Sequence, residues 1–290
     1  MKKLGLATAL LLAMTGAQAY QVEVQGQSEF VDAKEAHKNF TGGVAGTYYF
    51  KNVDSAKGPL AEAAFLNQAS NVSVAYNYGE YKATNENRVA SQSYGVKGEA
   101  YIPTSVVPVY ASAAYSHTHD DVKGSSEKDN GDRYALEVGA VVAPNFLVAV
   151  GYTSLNTQNS YDANSILSNG VIKAALESDA IGNKKDVVTA RTKYVGAIDG
   201  TNMSIGFDAG LVYGKDTAYN LGTTLYLNPA LSVGASFVNT NANNNAKAWG
   251  ANVNYFITPA VAVGVDYVNA TTDVTAKNAQ SVGLNAKFRF

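Results

Sequence analysis

The sequence predicts an all-β protein, a 14-stranded antiparallel transmembrane β-barrel with short periplasmic turns and longer extracellular loops. Three observations carry that prediction. Apolar and polar residues alternate in segments of about ten residues, the length a tilted strand needs to cross the hydrocarbon layer of a bilayer. The segments are joined alternately by brief turns and by longer polar stretches. The final stretch interleaves the two classes: Val282, Leu284, Ala286, Phe288 and Phe290 fall on one face of an extended strand, and Gly283, Asn285, Lys287 and Arg289 on the other. Taken alone, such a stretch is more often a half-buried edge strand of a soluble sheet. Its recurrence along the chain decides for a barrel, with the apolar set toward lipid and the polar set toward a wet lumen. Phe288 and Phe290 are then the barrel-assembly signal of the closing strand.

In chain order, residues 1–19 read as a secretory signal peptide. Lys2 and Lys3 form the basic segment, Leu4 to Met14 the apolar run, and Ala17-Gln18-Ala19 the small-residue cleavage site. The run is too short to span a bilayer as a helix, and the alternative is a short buried helix. No later segment approaches ~18 consecutive apolar residues, so no helical span is expected. Residues 20–290 form the barrel domain. Its strands are expected at 20–30, 39–52, 72–84, 91–102, 107–119, 132–142, 146–155, 186–197, 203–213, 217–227, 231–239, 247–257, 261–270 and 279–290. The pattern is plainest in three of them. Val109, Ala111, Ala113 and Tyr115 alternate with Tyr110, Ser112, Ala114 and Ser116. Tyr134, Leu136, Val138, Ala140 and Val142 form an outward set. Ile205, Phe207, Ala209, Leu211 and Tyr213 alternate with Ser204, Gly206, Asp208 and Gly210.

The connections set the topology. Pro103-Thr104-Ser105, Ala143-Pro144-Asn145, Asp199-Gly200-Thr201-Asn202, Asn228-Pro229-Ala230 and Thr258-Pro259-Ala260 are brief turns at one end. Stretches 31–38, 85–90, 120–131, 156–185, 240–246 and 271–278 lie at the other, with a brief turn near Lys215. Sorting of loops by length is the barrel pattern, and an even strand number leaves both termini in the periplasm. Two connections break it. Val53 to Asn71 is long where a short turn belongs, and its Leu60 to Leu66 core follows Gly58-Pro59, which predicts a helix of one or two turns. Asn156 to Lys185 carries Ile166, Leu167, Val171, Ile172 and Leu176, apolar side chains that need a packing partner. Folding inward to narrow the channel is favoured over a flexible outer loop.

Composition excludes several classes. The absence of cysteine rules out disulfides, thiolate metal sites and a cysteine nucleophile. Loss of Lys2 and Lys3 with the leader takes the 22 basic residues to 20 against 24 acidic ones, which gives no basic surface for nucleic acid. The 19 Tyr and 26 Gly suit aromatic girdles and close-packed strands.

The alternation assigns charges of both signs to the pore lining: Lys51, Lys97, Arg133, Arg191, Lys193, Lys287 and Arg289 against Glu23, Glu29, Glu99, Glu137, Asp208 and Asp266. On the lipid face each would cost roughly 2–4 kcal/mol near the midplane. Their near balance argues against strong ion selectivity, which needs a ring of one sign. For any single residue, plain solvation of the interior is the blander reading; pairing across the lumen is the sharper one. Catalysis has one candidate, His117-Thr118-His119-Asp120-Asp121, where His and Asp could serve as base and orienting carboxylate or bind a metal. It falls where a strand leaves the membrane, polar residues are expected there, and G-x-S-x-G, HExxH and P-loop motifs are absent. No catalytic residue, metal or cofactor is assigned.

Gly58 to Asn71 (GPLAEAAFLNQASN), Pro144 to Ser154 (PNFLVAVGYTS), Val188 to Met203 (VTARTKYVGAIDGTNM), Ala248 to Gly264 (AWGANVNYFITPAVAVG) and the closing GLNAKFRF resemble the carbapenem-associated outer-membrane porin family of Acinetobacter-type bacteria. The resemblance runs over the whole chain, leader included. It implies a barrel of the same strand number in the outer membrane of a Gram-negative cell, acting as a narrow, passive channel for water and small polar solutes. It implies contact with host surface molecules, while the barrel reading itself implies outer-membrane lipid and lipopolysaccharide and the barrel-assembly machinery as partners, and the acidic balance implies no nucleic acid. The chain departs from the family around 31–38, 83–91, 156–183 and 239–247, so properties that depend on the outer loops transfer least. A surface adhesin with an occluded pore is the alternative function, and an outer-membrane hydrolase a distant third.

Overall fold

Each alternating segment forms a strand. A computed structural model describes residues 19–33, 39–82, 87–124, 128–157, 160–182, 186–214, 216–241, 245–271 and 278–290. The leader, apart from Ala19, lies outside the described residues, as do Lys215 and parts of the outer loops. The strands are β1 (Ala19–Ala33), β2 (Asn39–Asp54), β3 (Asn71–Tyr81), β4 (Val89–Ile102), β5 (Val109–Val122), β6 (Lys128–Ala143), β7 (Phe146–Leu155), β8 (Asp186–Ala197), β9 (Ser204–Tyr213), β10 (Thr217–Tyr226), β11 (Leu231–Thr240), β12 (Lys247–Thr258), β13 (Val261–Thr271) and β14 (Ala279–Arg289). Each pairs antiparallel with its sequence neighbours, and β1 pairs β14 from Glu23↔Arg289 to Ala33↔Ala279, which closes the barrel. Phe290 adds the last rung: its N–H donates to the Val22 carbonyl at 2.9 Å, and its carbonyl accepts from Gln21 and Val22.

The expected outward residues face outward. Tyr134, Leu136, Val138, Phe207, Leu211, Tyr213, Val282 and Leu284 are all exposed on the barrel exterior. Such a band would drive aggregation of a water-soluble molecule, and it is the lipid-facing surface of a transmembrane barrel. Strand ends differ from expectation by up to four residues, most at the outer end of the β5–β6 hairpin. The stretch 120–131 continues as a ladder, with His119↔Asn130, Asp120↔Asp129 and Asp121↔Lys128 paired. Above the membrane the apolar alternation stops, but backbone hydrogen bonding does not need it.

Both irregular connections contain helix. Between β2 and β3 the chain makes 3₁₀ turns at Ser55–Lys57 and Leu60–Glu62 and then α1 (Ala63–Leu66), which is the short helix expected there. Between β7 and β8 lie α2 (Ala163–Asn169) and α3 (Val171–Gly182). The Asp162 side chain caps α2 by accepting from the Asn164 and Ser165 amides. Gly170, at φ +82°, breaks the two helices apart in a conformation other residues rarely adopt. Within the barrel α2 lies against β2, β3 and β4, while α3 lies against β7, β9, β10 and β11. The outer loop is folded inward.

Candidate functional site: the barrel lumen

The lumen is built in layers. At the periplasmic end, Tyr110, Tyr226, Leu147 and Val195 on the wall pack with Phe65 of α1. Leu60 packs with Phe256 and Ala262, and Ala63 with Tyr20, Tyr49 and Val53. The periplasmic segment is also tied by polar contacts. The Leu60 amide donates to the Pro229 carbonyl at 2.8 Å, and Glu62 accepts from the Tyr226 hydroxyl at 2.7 Å and pairs with Lys193 at 2.7 Å. Arg289 donates from Nε to Glu23 at 2.7 Å and from Nη1 to the Leu60 carbonyl at 2.9 Å, with its guanidinium between the rings of Tyr20 and Phe256.

At the extracellular end the wall is apolar again, and the helices sit on it. Ile166, Val171 and Ile172 pack against Val31, Val238, Ala248, Val268 and Ala270, and Ile181 packs against Leu155, Val187, Val212 and Ala218. Polar latches hold the same helices. The Glu29 carboxylate, itself 1 % exposed, accepts the Val171 amide at 2.8 Å. Gln25 donates to the Leu167 carbonyl at 2.7 Å, Asn77 to the Ala163 carbonyl at 2.8 Å, and Arg133 pairs with Glu177 at 2.6 Å.

Between these ends, among the described residues, lie a larger and a smaller cavity. The larger, about 380 Å³, lies along β4 to β11 beside α2 and α3; its lining includes five basic side chains (Lys97, Arg133, Lys173, Arg191, Lys193) and four acidic ones (Glu137, Asp162, Glu177, Asp208). The smaller, about 220 Å³, lies along β12, β13, β14 and β1, with residues 167–170 above it and Ala61 and Glu62 below. Ser168, Asn169 and Lys173 border both. The two walls differ in kind. On β4, β6 and β8 a charged network runs from Lys97–Glu99 (3.0 Å) to Arg191–Glu137 (2.9 Å), joined by the Tyr110 hydroxyl, which donates to Glu99 and accepts from Arg191. On β9 to β14 short side chains lie over glycines of the neighbouring strand: Asn220 over Gly210, Asp208 over Gly222, Asn252 over Gly234, Asp266 over Gly283. A Cβ at any of these glycines would collide with its neighbour.

Of the residues assigned to the pore, Lys97, Arg133, Glu137, Arg191, Lys193 and Asp208 border the larger cavity, and Asp266 and Lys287 the smaller. Glu99 lies beside Lys97 in the charged network. Lys51 is exposed at the periplasmic end of β2, beyond the last β2–β3 pair, Tyr49↔Asn71. Glu23 and Arg289 require a correction: they point inward, yet at 9 % and 2 % exposure they are sealed under the periplasmic segment and anchor it. Phe288 and Phe290 are exposed on the exterior. Alternation could not find Glu62, Asp162, Lys173 and Glu177, because they stand on helical connections where a period of two says nothing about direction. The His117 cluster is split by its strand. His117 pairs with Asp132 at 2.8 Å on the outer face beside Tyr115, while Thr118 and Asp120 point inward. Among the described residues no three His, Asp or Glu side chains gather as a metal site.

Comparison with known proteins agrees with this architecture. The family model described as "putative general bacterial porin" matches residues 1–290. The crystal structure of the Acinetobacter baumannii outer membrane protein Omp33 is 53% identical, covers 95% of this chain and 100% of its own, and superposes with a TM-score of 0.70. A Pseudomonas aeruginosa FadL homologue, 9% identical with a TM-score of 0.55 over 96% of this chain and 92% of its own, shares the fold. No protein of curated function matches the chain.

Proposed function

As the chain belongs to the general bacterial porin family and forms a channel barrel of the Gram-negative outer membrane, we propose that its lumen is a narrow, passive, gated path for water and small polar solutes. The observation that carries this reading is the pair of polar cavities held between two inward-folded helical segments. A barrel of this strand number falls between filled eight-stranded and open sixteen-stranded ones, so its wall alone leaves room for water. Lys97, Arg133, Arg191 and Lys193 are each paired with a carboxylate, and five basic against four acidic groups around the larger cavity supply no ring of one sign. Weak ion selectivity follows. Lys97, Arg133, Glu137, Arg191, Lys193, Asp208, Asp266 and Lys287 line the path, and no side chain is assigned a catalytic step. The exterior apolar band meets outer-membrane lipid and lipopolysaccharide, the assembly machinery engages Phe288 and Phe290, and residues 1–19 direct export.

Single-channel recording of purified protein in planar bilayers tests the reading. Small, weakly selective steps with closures are expected. A silent membrane containing correctly folded barrel would overturn it in favour of an occluded surface protein.

A further inference from the structure

We infer that the smaller cavity is a binding chamber for small neutral polyhydroxylated solutes; the inference rests on the channel reading and names the solute class that passes most readily. Six carboxamides border this cavity: Gln25, Gln27, Asn169, Asn252, Asn254 and Asn285. A carboxamide both donates and accepts, as a hydroxyl does, so a lining of this kind can replace the hydration shell of a polyol group by group. Some of these amides are oriented by the protein. Gln25 donates to the Leu167 carbonyl at 2.7 Å and Asn254 to the Asn252 side chain at 3.2 Å, which leaves further valences for a solute.

Glycines keep the space open. A Cβ on Gly264 would stand 2.7 Å from Asn285 Oδ1 and closer still to Asn254, and one on Gly234 would stand 2.8 Å from the Asn252 amide. These three amides therefore lie flat on the wall, and any larger residue beneath them would push them into the chamber. The chamber also carries no net charge. Glu62 and Asp266 balance Lys173 and Lys287, while Glu62 is held by Lys193, Lys287 by Glu23, Lys173 by the Ser236 hydroxyl and Asp266 by the Asn285 side chain. A charged or zwitterionic solute thus meets groups already engaged and loses its own hydration. At about 220 Å³ the space is smaller than the ~300–1,000 Å³ of drug-sized sites and holds about seven waters, which suits tetritols to hexoses.

The test is liposome swelling with the full-length protein, comparing erythritol with free threonine, which has the same number of non-hydrogen atoms. Each rate is normalised to KCl conductance measured on the same preparation. The parent should pass erythritol roughly threefold faster or more, the ratio one net hydrogen bond supplies. Asn252→Leu with Asn285→Leu should bring the ratio toward one. Val253→Leu, whose side chain faces outward on the same strand, should leave it unchanged. Equal rates in the parent, faster threonine, or a ratio that survives loss of both amides would overturn the chamber while leaving the channel intact. Absence of KCl conductance as well would sink the channel reading, and the chamber with it.

Discussion

The inward loop is held chiefly by its apolar side chains, and its polar latches are secondary. Five loop side chains, Ile166, Leu167, Val171, Ile172 and Ile181, are buried in the seat formed by the upper wall. At ~1.5–3 kcal/mol each they contribute about 7–15 kcal/mol. The Glu29 contact to the Val171 amide is a single hydrogen bond and contributes at most about 3 kcal/mol. Glu29→Ala removes only that latch, so the apolar term of about 7–15 kcal/mol stays in place and the open fraction stays far below one part in a thousand. Ile172→Asp with Ile181→Asp removes about two-fifths of the apolar term and places two carboxylates in apolar seats at several kcal/mol apiece, which exceeds what remains. The chain has no cysteine, so Ala248→Cys, beneath α3 and 1 % exposed, introduces a single thiol that reports lifting of the loop. Reaction with a membrane-impermeant alkylating reagent on intact cells should be slow in the parent and in Glu29→Ala, and fast in the double aspartate variant. If Glu29→Ala labels as fast as the double variant, the apolar seat is not what holds the loop.

Three further outcomes are expected. Phe207→Arg puts a charge on the lipid face and should cost about 2–4 kcal/mol in urea unfolding from bilayers, while Asp208→Asn on the lumen side should shift stability by less than ~0.5 kcal/mol; the reverse order would mean a register error throughout β9. Arg289→Met leaves Glu23 buried with Lys287 3.6 Å away as its one remaining ion-pair partner among the described residues, and should cost about 3–5 kcal/mol, with Arg289→Lys recovering part of it; a loss below ~1 kcal/mol for Arg289→Met would refute the anchor. Phe290→Ala should lower the amount of heat-modifiable barrel recovered from outer membranes, and parental levels would contradict its role in assembly.

The wall was legible in the sequence because a period of two assigns every strand residue a side, and a charge on the wrong side costs too much to be tolerated. On that logic Lys97, Glu137, Arg191 and Asp208 are assigned inward, and all four border the larger cavity. It stopped where the period stops. Glu23 and Arg289 share the parity of their neighbours, but whether they meet water depends on the 53–71 connection closing over them, a long-range contact that no local pattern encodes. Glu62, Lys173 and Glu177 reach the lumen on helices whose docking is fixed by apolar residues such as Phe65 and Ile172. Those residues showed that packing was needed, and only the fold shows where. The amide-over-glycine wall was hidden for another reason: Asn285 and Gly264 become partners only through the register of β13 and β14.

Single-channel conductance of the parent beside two shortened barrels tests the central claim, that the two inward-folded connections and not the wall limit the path. In one barrel residues 156–185 are replaced by a turn of about four residues, and in the other residues 55–70. At least one should fold and conduct more than the parent. If both fold and neither conducts better, the constriction lies in the wall side chains and the account of two obstructing segments is wrong.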